Sequence, residues 1–434
     1  MGGLRNGNGE GWSPEERRQQ QLEQLQVSCN RAYRSVPFYR NRFQALGLSP
    51  QDITSLEDLR RLPFTERRHF IEHYPYGLFA VPLRDIVRIH TAPGAAGGLT
   101  VSGYTARDLR VWKDMVARAL RAAGVSADDI LQIVLHPGLA NWGRDYKDGA
   151  EALQAGVIPL NALHISKQIL VLRDYKTSVL VTTPSSALQL QELLFAADIN
   201  PNELSLKTLI LVGEPAEPAV RRVIEEYLHV TTWQHYGLSE VPGPAVAYEC
   251  GAHEGLHVAE DHFAVEVLNP DTQEPVAEGE SGELVLTSLT IQAFPLIRFR
   301  TGDLVRVVDR PCPCGRTLLR VEWLPQRVDD LMVIQGVKIQ KDQVAVRVAQ
   351  TLGFAPQRLF VHLVQQGGYK ALEVRLGMEE ALFSDEIKEL EHLVRKTAFE
   401  LRQEFGVPVE VRLLEGPSVS APATALDRKS PARL

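Results

Sequence analysis

Cysteine is scarce in this chain, with four residues in 434, and methionine is as rare, also with four. Four thiols at this length do not make a disulfide scaffold, so they are free for metal binding or chemistry. No apolar run approaches the ~20 residues of a membrane span. An excess of one charge is missing too. Lys and Arg number 47 against 54 Asp and Glu, a net charge of −7, which argues against nucleic acid as the main partner. Met1–Gly11 is polar, without the apolar stretch of a secretory leader, and Asn6 stands where a myristoylation signal wants Ser or Thr. The expectation is a cytoplasmic protein with no membrane partner. Apolar residues at 44% and charged residues at 23% suit a globular chain with a large core.

The residues that are present set out an order of elements. Residues 1–13 read as a loose tail. Ser13-Pro14-Glu15-Glu16 is a helix start, with Ser as N-cap, Pro at the first position and acids in the first turn. The helix runs to about Tyr33, and Pro37 is expected to stop it. From about 85 to 235, short β-branched runs (Ile86–His90, Leu131–Leu135, Val157–Leu160, Ser178–Thr182, Thr208–Val212, Val230–Gln234) alternate with amphipathic stretches such as Ala106–Ala123, Ser185–Ala197 and Pro218–Leu228. That alternation predicts a parallel sheet with crossover helices. From about 256 to 325 the runs shorten, as in an antiparallel β subdomain: His262–Leu268, Gly282–Ser288, Leu296–Arg300 and Leu304–Val308. From Met332 the order strand, helix, strand, strand, helix, strand predicts a small α+β domain. The fold class is therefore α/β, with a large domain over 14–328, a small one over 329–415 and a tail over 416–434.

Four short motifs stand at the ends of these predicted elements. Gly213-Glu214-Pro215 closes one parallel strand, where open α/β sheets place their ligands. Tyr236-Gly237-Leu238-Ser239-Glu240 closes another. Its aromatic and glycine suit a flat ring approached closely by backbone, and its carboxylate suits Mg²⁺ beside phosphates. Thr301-Gly302-Asp303 reads as a tight turn between two strands, its Asp placed for vicinal hydroxyls. Arg327-Val328-Asp329-Asp330 lies at the domain boundary as a hinge. Each motif alone is equally a plain turn, loop or linker.

In this order the motifs resemble adenylate-forming acid–thiol ligases, and within them the phenylacetate–coenzyme A ligases. Arg34-Ser35-Val36-Pro37-Phe38-Tyr39, Leu62-Pro63-Phe64-Thr65, Tyr74-Pro75-Tyr76-Gly77-Leu78-Phe79 and Arg298-Phe299-Arg300-Thr301 extend the resemblance over about residues 14 to 415. It implies a nucleotide site. Gly213 and Glu214 would border adenine, Tyr236 would stack on it beside Gly237, and Asp303, helped by Arg327, would hold the ribose. Glu240 would face Mg²⁺, and Asp329 would be the hinge between two half-reactions. The implied reaction joins a carboxylic acid to AMP from ATP, then passes the acyl group to a thiol such as coenzyme A (CoA). A homodimer is the oligomer that such relatives suggest.

Three departures from the pattern temper this. The phosphate loop of the family is rich in hydroxyls and ends in Gly-Lys-Pro. Here it reads Thr91-Ala92-Pro93-Gly94-Ala95-Ala96-Gly97-Gly98, leaving Gly94, Gly97 and Gly98 to offer backbone only. Arg88, His90 and Lys338 are the candidates to supply the missing phosphate contacts. The C-terminal catalytic lysine falls at Ala421, and Lys429 is the nearest substitute. The segments matching the acid pocket carry His136, Gly138, Asn141 and Leu163, with Arg144 and Asp145 nearby, which points to an aryl or a small polar acid. The alternative reading is a degenerate homologue without ATP-dependent adenylation, performing a partial reaction or binding a nucleotide, metabolite or partner.

Cys250, His257, Cys312 and Cys314 offer three thiolates and one imidazole, the donor set of a closed structural Zn²⁺ site. Reduced surface cysteines are the alternative, and His253 is the alternative nitrogen. Some phenylacetate ligase relatives carry zinc at matching positions, which favours the metal. Cys29, on the first helix, reads as a small buried apolar residue.

Overall fold

The computed structural model describes residues 9–93, 99–159, 165–241, 243–308, 310–366, 369–377 and 387–414. The first helix, α1 (Pro14–Ser35), starts on a complete capping box between Ser13 and Glu16. Pro37 does not end the helical region. It opens α2 (Pro37–Ala45) as that helix's first residue, because proline is as suited to a helix start as it is hostile to a helix interior. A short helix, α3 (Arg67–Glu72), leads to the hairpin β1 (Arg88–Pro93) and β2 (Leu99–Tyr104). Their turn, with Gly94, Gly97 and Gly98, lies outside the described residues.

The alternation of strand and helix then produces α4 (Ala106–Ala122), β3 (Ile130–Ile133), α5 (Ala140–Ala152), β4 (Gly156–Ile158), α6 (Ile165–Asp174), β5 (Val179–Thr182), α7 (Pro184–Ala196), β6 (Thr208–Leu211), α8 (Pro218–Leu228) and β7 (Thr231–Tyr236). β4, β3, β5, β6 and β7 are parallel neighbours. The sheet continues through antiparallel β8 (Ala247–Tyr248), β9 (Leu256–Val258), β13 (Arg320–Arg327), β12 (Phe299–Val308), β11 (Ser281–Ser288) and β10 (Phe263–Leu268). Among the described residues this is one eleven-stranded sheet. The α/β class, with a mostly parallel part and an antiparallel extension, is the one expected from the sequence.

One expected break is absent. Leu296–Arg300 and Leu304–Val308 are not two strands about a turn, because β12 runs through Thr301-Gly302-Asp303. The register against β11 shifts between Glu283 and Val285, where Thr301-Gly302-Asp303 stands opposite Leu284 alone, and Gly302 adopts φ +73°. A bulge therefore absorbs the irregularity that the sequence presents as a turn, and the ladder continues.

The last segment forms the hairpin β14 (Leu331–Ile334) and β15 (Val337–Gln340), then α9 (Lys341–Leu352), β16 (Leu359–Gln366), β17 (Tyr369–Gly377), α10 (Ile387–Phe405) and β18 (Val409–Leu414). It has its own apolar core, in which Ile334, Ile339, Val344, Val348, Leu372 and Leu401 are fully buried. Two cores flank the parallel strands, one under α4 and α5 and one under α6, α7 and α8. A third joins the N-terminal helices to the antiparallel strands.

Candidate active site

The carboxyl ends of β5, β6 and β7 face the hairpin β14–β15, and the residues singled out by sequence gather along this seam. Gly213 follows β6 with φ +83°. Its backbone packs on that of Gly336 at the hairpin turn: a Cβ on Gly213 would lie 3.0 Å from the Gly336 Cα, and a Cβ on Gly336 would lie 2.5 Å from the Leu139 side chain. A side chain on either residue would force its neighbours to shift, and the positive φ of both favours glycine. The neighbouring Glu214 is buried, and its carboxylate accepts from the Ser185 amide at 2.8 Å, in the first turn of α7. Burial pushes its carboxyl up, and the bonds from Ser185 only partly offset that.

Asp303 is buried with both oxygens engaged. Tyr236 Oη donates to Oδ2 at 2.8 Å, and the Arg327 guanidinium donates to Oδ1. Arg327 also donates to Asp329 Oδ1 from Nε at 2.7 Å and to the Thr301 carbonyl at 2.9 Å. A cavity of about 160 Å³ opens here, lined by Glu214, Asp303, Trp323, Arg327 and Asp329, with Lys370 from β17 on the other side. Trp323, unnoticed in the sequence, supplies its aromatic wall. The Tyr236 ring, expected to face the cavity, is fully buried and meets Trp323 edge-on, with centroids 4.8 Å apart. Gly237 is closed in by the Gly243 carbonyl, 2.2 Å from where a Cβ would stand.

Glu240 sits in a second cavity, of about 70 Å³, with Gly138, Gly213, Gly336 and Lys338. Its Oε1 accepts from Arg67 Nε at 2.7 Å. Arg67 also reaches Asp329 Oδ2 at 3.0 Å and the Thr301 carbonyl at 2.8 Å. Burial pushes the Glu240 carboxyl up, but the charges of Arg67 and Lys338 outweigh it and bring it down to about 2. Glu240 Oε2 is buried and has no hydrogen-bond partner. An ionised carboxylate with a free oxygen beside an anion-sized cavity fits a Mg²⁺ ligand. Arg67 is a site residue that the sequence did not reveal. It lies 173 residues from Glu240, and its only local signal is its place just after Leu62-Pro63-Phe64-Thr65.

A third, narrower cavity, about 20 Å³, adjoins Glu240 and is walled by His90, Trp112, Asn141, Trp142 and Phe294, with Gly138 at its mouth. His90 Nε2 is buried without a partner, and burial brings the imidazole down to about 4, so it is neutral. His136 is not in this wall. Its Nδ1 accepts from the Gly138 amide at 3.0 Å, so Nε2 carries the hydrogen and donates to the Gly406 carbonyl at 2.5 Å, across the seam. Arg88 is taken up by Asp145 at 3.0 Å and Asp148 at 3.1 Å. Leu163, Ala421 and Lys429 lie outside the described residues.

The cysteine cluster stands apart, where β8, β9 and the loop before β13 meet. Cys250, His257, Cys312 and Cys314 bring their ligand atoms within 4.8 Å of one another, with Cys250 Sγ 3.4 Å from Cys312 Sγ and Cys314 Sγ 3.4 Å from His257 Nε2. These spacings suit four ligands about one ion with bonds of roughly 2.0–2.3 Å. Burial and the nearby Arg316 and Arg320 charges bring His257 down to about 4, leaving a neutral imidazole. His253 turns away, packing on Trp233 and lying 3.4 Å from Glu249.

Fold and site together define the class. Residues 154–291 match the family model described as "AMP-binding enzyme". A phenylacetate–coenzyme A ligase of Thermus thermophilus is 37% identical over 407 residues, 91% of each chain, and that of Escherichia coli is 37% identical over 363 residues, 83% of this chain and 82% of its own. The chain belongs to the phenylacetate–coenzyme A ligase family. Among solved structures, a 2-hydroxyisobutyryl-CoA ligase with 2-HIB-AMP and CoA in the thioesterification state superimposes with a TM-score of 0.87, at 25% identity, over 98% of this chain and 93% of that one. The same ligase in its postadenylation state, over the same shares and at the same identity, gives 0.70. No helix among the described residues is long and apolar enough to cross a membrane.

Proposed function

We propose that the protein is an AMP-forming acid–thiol ligase. It activates an organic acid, aryl or small and polar, with ATP and passes the acyl group to CoA. The observation that carries this reading is the seam itself: Glu214, Asp303, Arg327, Asp329 and Glu240 line two adjoining cavities closed by the small unit. In this reading Asp303 and Arg327 hold the ribose, Gly213 and Glu214 border the adenine, and Glu240 holds Mg²⁺, which would neutralise phosphate charge during adenylation. Residues 14–328 and 329–415 act as two domains about Asp329. The better superposition on the thioesterification state supports the small domain being docked for acyl transfer. The acyl group enters the narrow aromatic cavity beside Glu240, which must widen beyond its present volume of about 20 Å³ to admit it, with Asn141 and neutral His90 as its polar points. The four-residue cluster holds a structural Zn²⁺, which pins two loops of the β subdomain.

A second reading, thiol transfer without adenylation, is favoured by the loop Ala92–Gly98, which lacks lysine and has Thr91 as its nearest hydroxyl, and by alanine at 421. Calorimetry with Mg-ATP and with AMP separates the two. The ligase reading predicts micromolar binding of both, about −8 kcal/mol. Binding of AMP alone would leave only the second reading, and binding of neither would contradict both.

A further inference from the structure

Along the seam the reading above leaves two lysines without a role, Lys370 in the Asp303 cavity and Lys338 beside Glu240, and Lys338 is the one whose Nζ is buried. It sits on β15, two residues beyond the Gly336 turn that packs against Gly213. The docked hairpin therefore carries its side chain into the Glu240 cavity. There its Nζ is buried without a hydrogen-bond partner, and so is Glu240 Oε2. The two make no ion pair, although each feels the other's charge. A buried ammonium with three donors and no acceptor is costly unless an anion completes it. The two arginines nearby are already committed, Arg67 to Glu240 and Asp329, and Arg327 to Asp303 and Asp329. Glycine stands at 98 and alanine at 421, where the family pattern has phosphate-handling lysines.

We infer that Lys338 is the phosphate-binding cation of the thiol-transfer step, delivered to the acyl-adenylate only when the small domain docks. The inference rests on the proposed ligase reading. In that step the thiol sulfur forms a bond to the acyl carbonyl carbon, and the thiol proton passes to solvent. The bond from that carbon to the phosphate-linked oxygen breaks, and AMP leaves with the electron pair on that oxygen. A lysine ammonium against the phosphate stabilises the leaving charge and needs no metal at that stage. Burial lowers the ammonium to about 8, with Glu240 opposing, so it remains mostly charged at neutral pH.

The test compares wild type with Lys338→Met and Lys338→Arg, using AMP and adenosine as binding probes and phenylacetyl-AMP with CoA as the transfer reaction. Wild type is expected to prefer AMP over adenosine and to form the thioester. Lys338→Met should lose at least about tenfold in that preference and in transfer rate, because a charge-assisted phosphate contact is removed, and Lys338→Arg should restore most of both. Unchanged preference and transfer in Lys338→Met would overturn the inference. So would equal weakening of AMP and adenosine, which marks a structural role. A wild type that binds neither probe and transfers nothing would instead overturn the ligase reading. Misfolding is not expected to confuse the result, since removing an unpaired buried charge relieves a desolvation cost. Lys338→Arg keeps the charge should Lys338→Met fail to fold.

Discussion

At the scale of single residues, the site is held by shared charges. Arg67 alone ties together the Glu240 carboxylate, the Asp329 carboxylate and the Thr301 carbonyl. Removing it leaves Glu240, whose side chain is 9% exposed, with only the more distant Lys338 to balance it. Arg67→Gln should therefore cost roughly 3–5 kcal/mol in urea unfolding, the penalty of a broken buried pair. A loss below about 1 kcal/mol would mean that water already screens Glu240. Asp303 is held in a related way. Its two oxygens each accept one hydrogen bond, from Tyr236 and from Arg327, and each keeps a further acceptor site, which in the proposed reading serves the ribose hydroxyls. Glu240, Asp303 and Arg327 were legible in the sequence because each sits in a short motif at an element's end. Arg67 and Trp323 were not, because their meaning comes from partners far along the chain.

At the scale of elements, the hairpin β14–β15 decides how the two halves meet. Its turn residues Gln335 and Gly336 have φ +50° and +77°, the pattern of a tight two-residue hairpin turn. Gln-Gly carries that signal far more weakly than Asn-Gly, and the segment 331–340 reads as one strand and a loop until it is folded. The bulge at Gly302 was hidden for the converse reason: a glycine between two apolar runs looks like a turn whether or not the ladder continues. Gly336→Ala should separate docking from stability. Its Cβ would strike Leu139, and the left-handed φ adds about 1–2 kcal/mol. The expected result is at least a tenfold slower transfer from acyl-AMP to CoA, with AMP still bound. A rate equal to wild type would show that the hairpin need not seat there.

At the scale of the whole molecule, one sheet, eleven-stranded among the described residues, ties the strand ends at the seam to the β subdomain, while residues 332–411 keep a core of their own. The alternating pattern of the parallel half was readable because each strand there is a short β-branched run. The antiparallel half was less so, since β8 and β9 span only two and three residues. With Zn²⁺ bound as proposed, the cysteine cluster would clasp β8, β9 and the loop leading to β13. Purified protein should contain about one zinc per chain. Stripping it, or substituting Cys250→Ser with Cys312→Ser, should lower the melting temperature while leaving AMP affinity nearly unchanged, because the cluster stands apart from both cavities. Less than a tenth of an equivalent by elemental analysis, without chelator, would exclude the metal. The most direct measurement is mass-spectrometric detection of acyl-CoA after incubation with ATP, Mg²⁺, CoA and a panel of acids that includes phenylacetate and 2-hydroxyisobutyrate. The account predicts thioester and AMP in equal amounts with at least one acid, and none without ATP. No thioester from any acid, nor from a pre-formed acyl-AMP supplied with CoA, would contradict it.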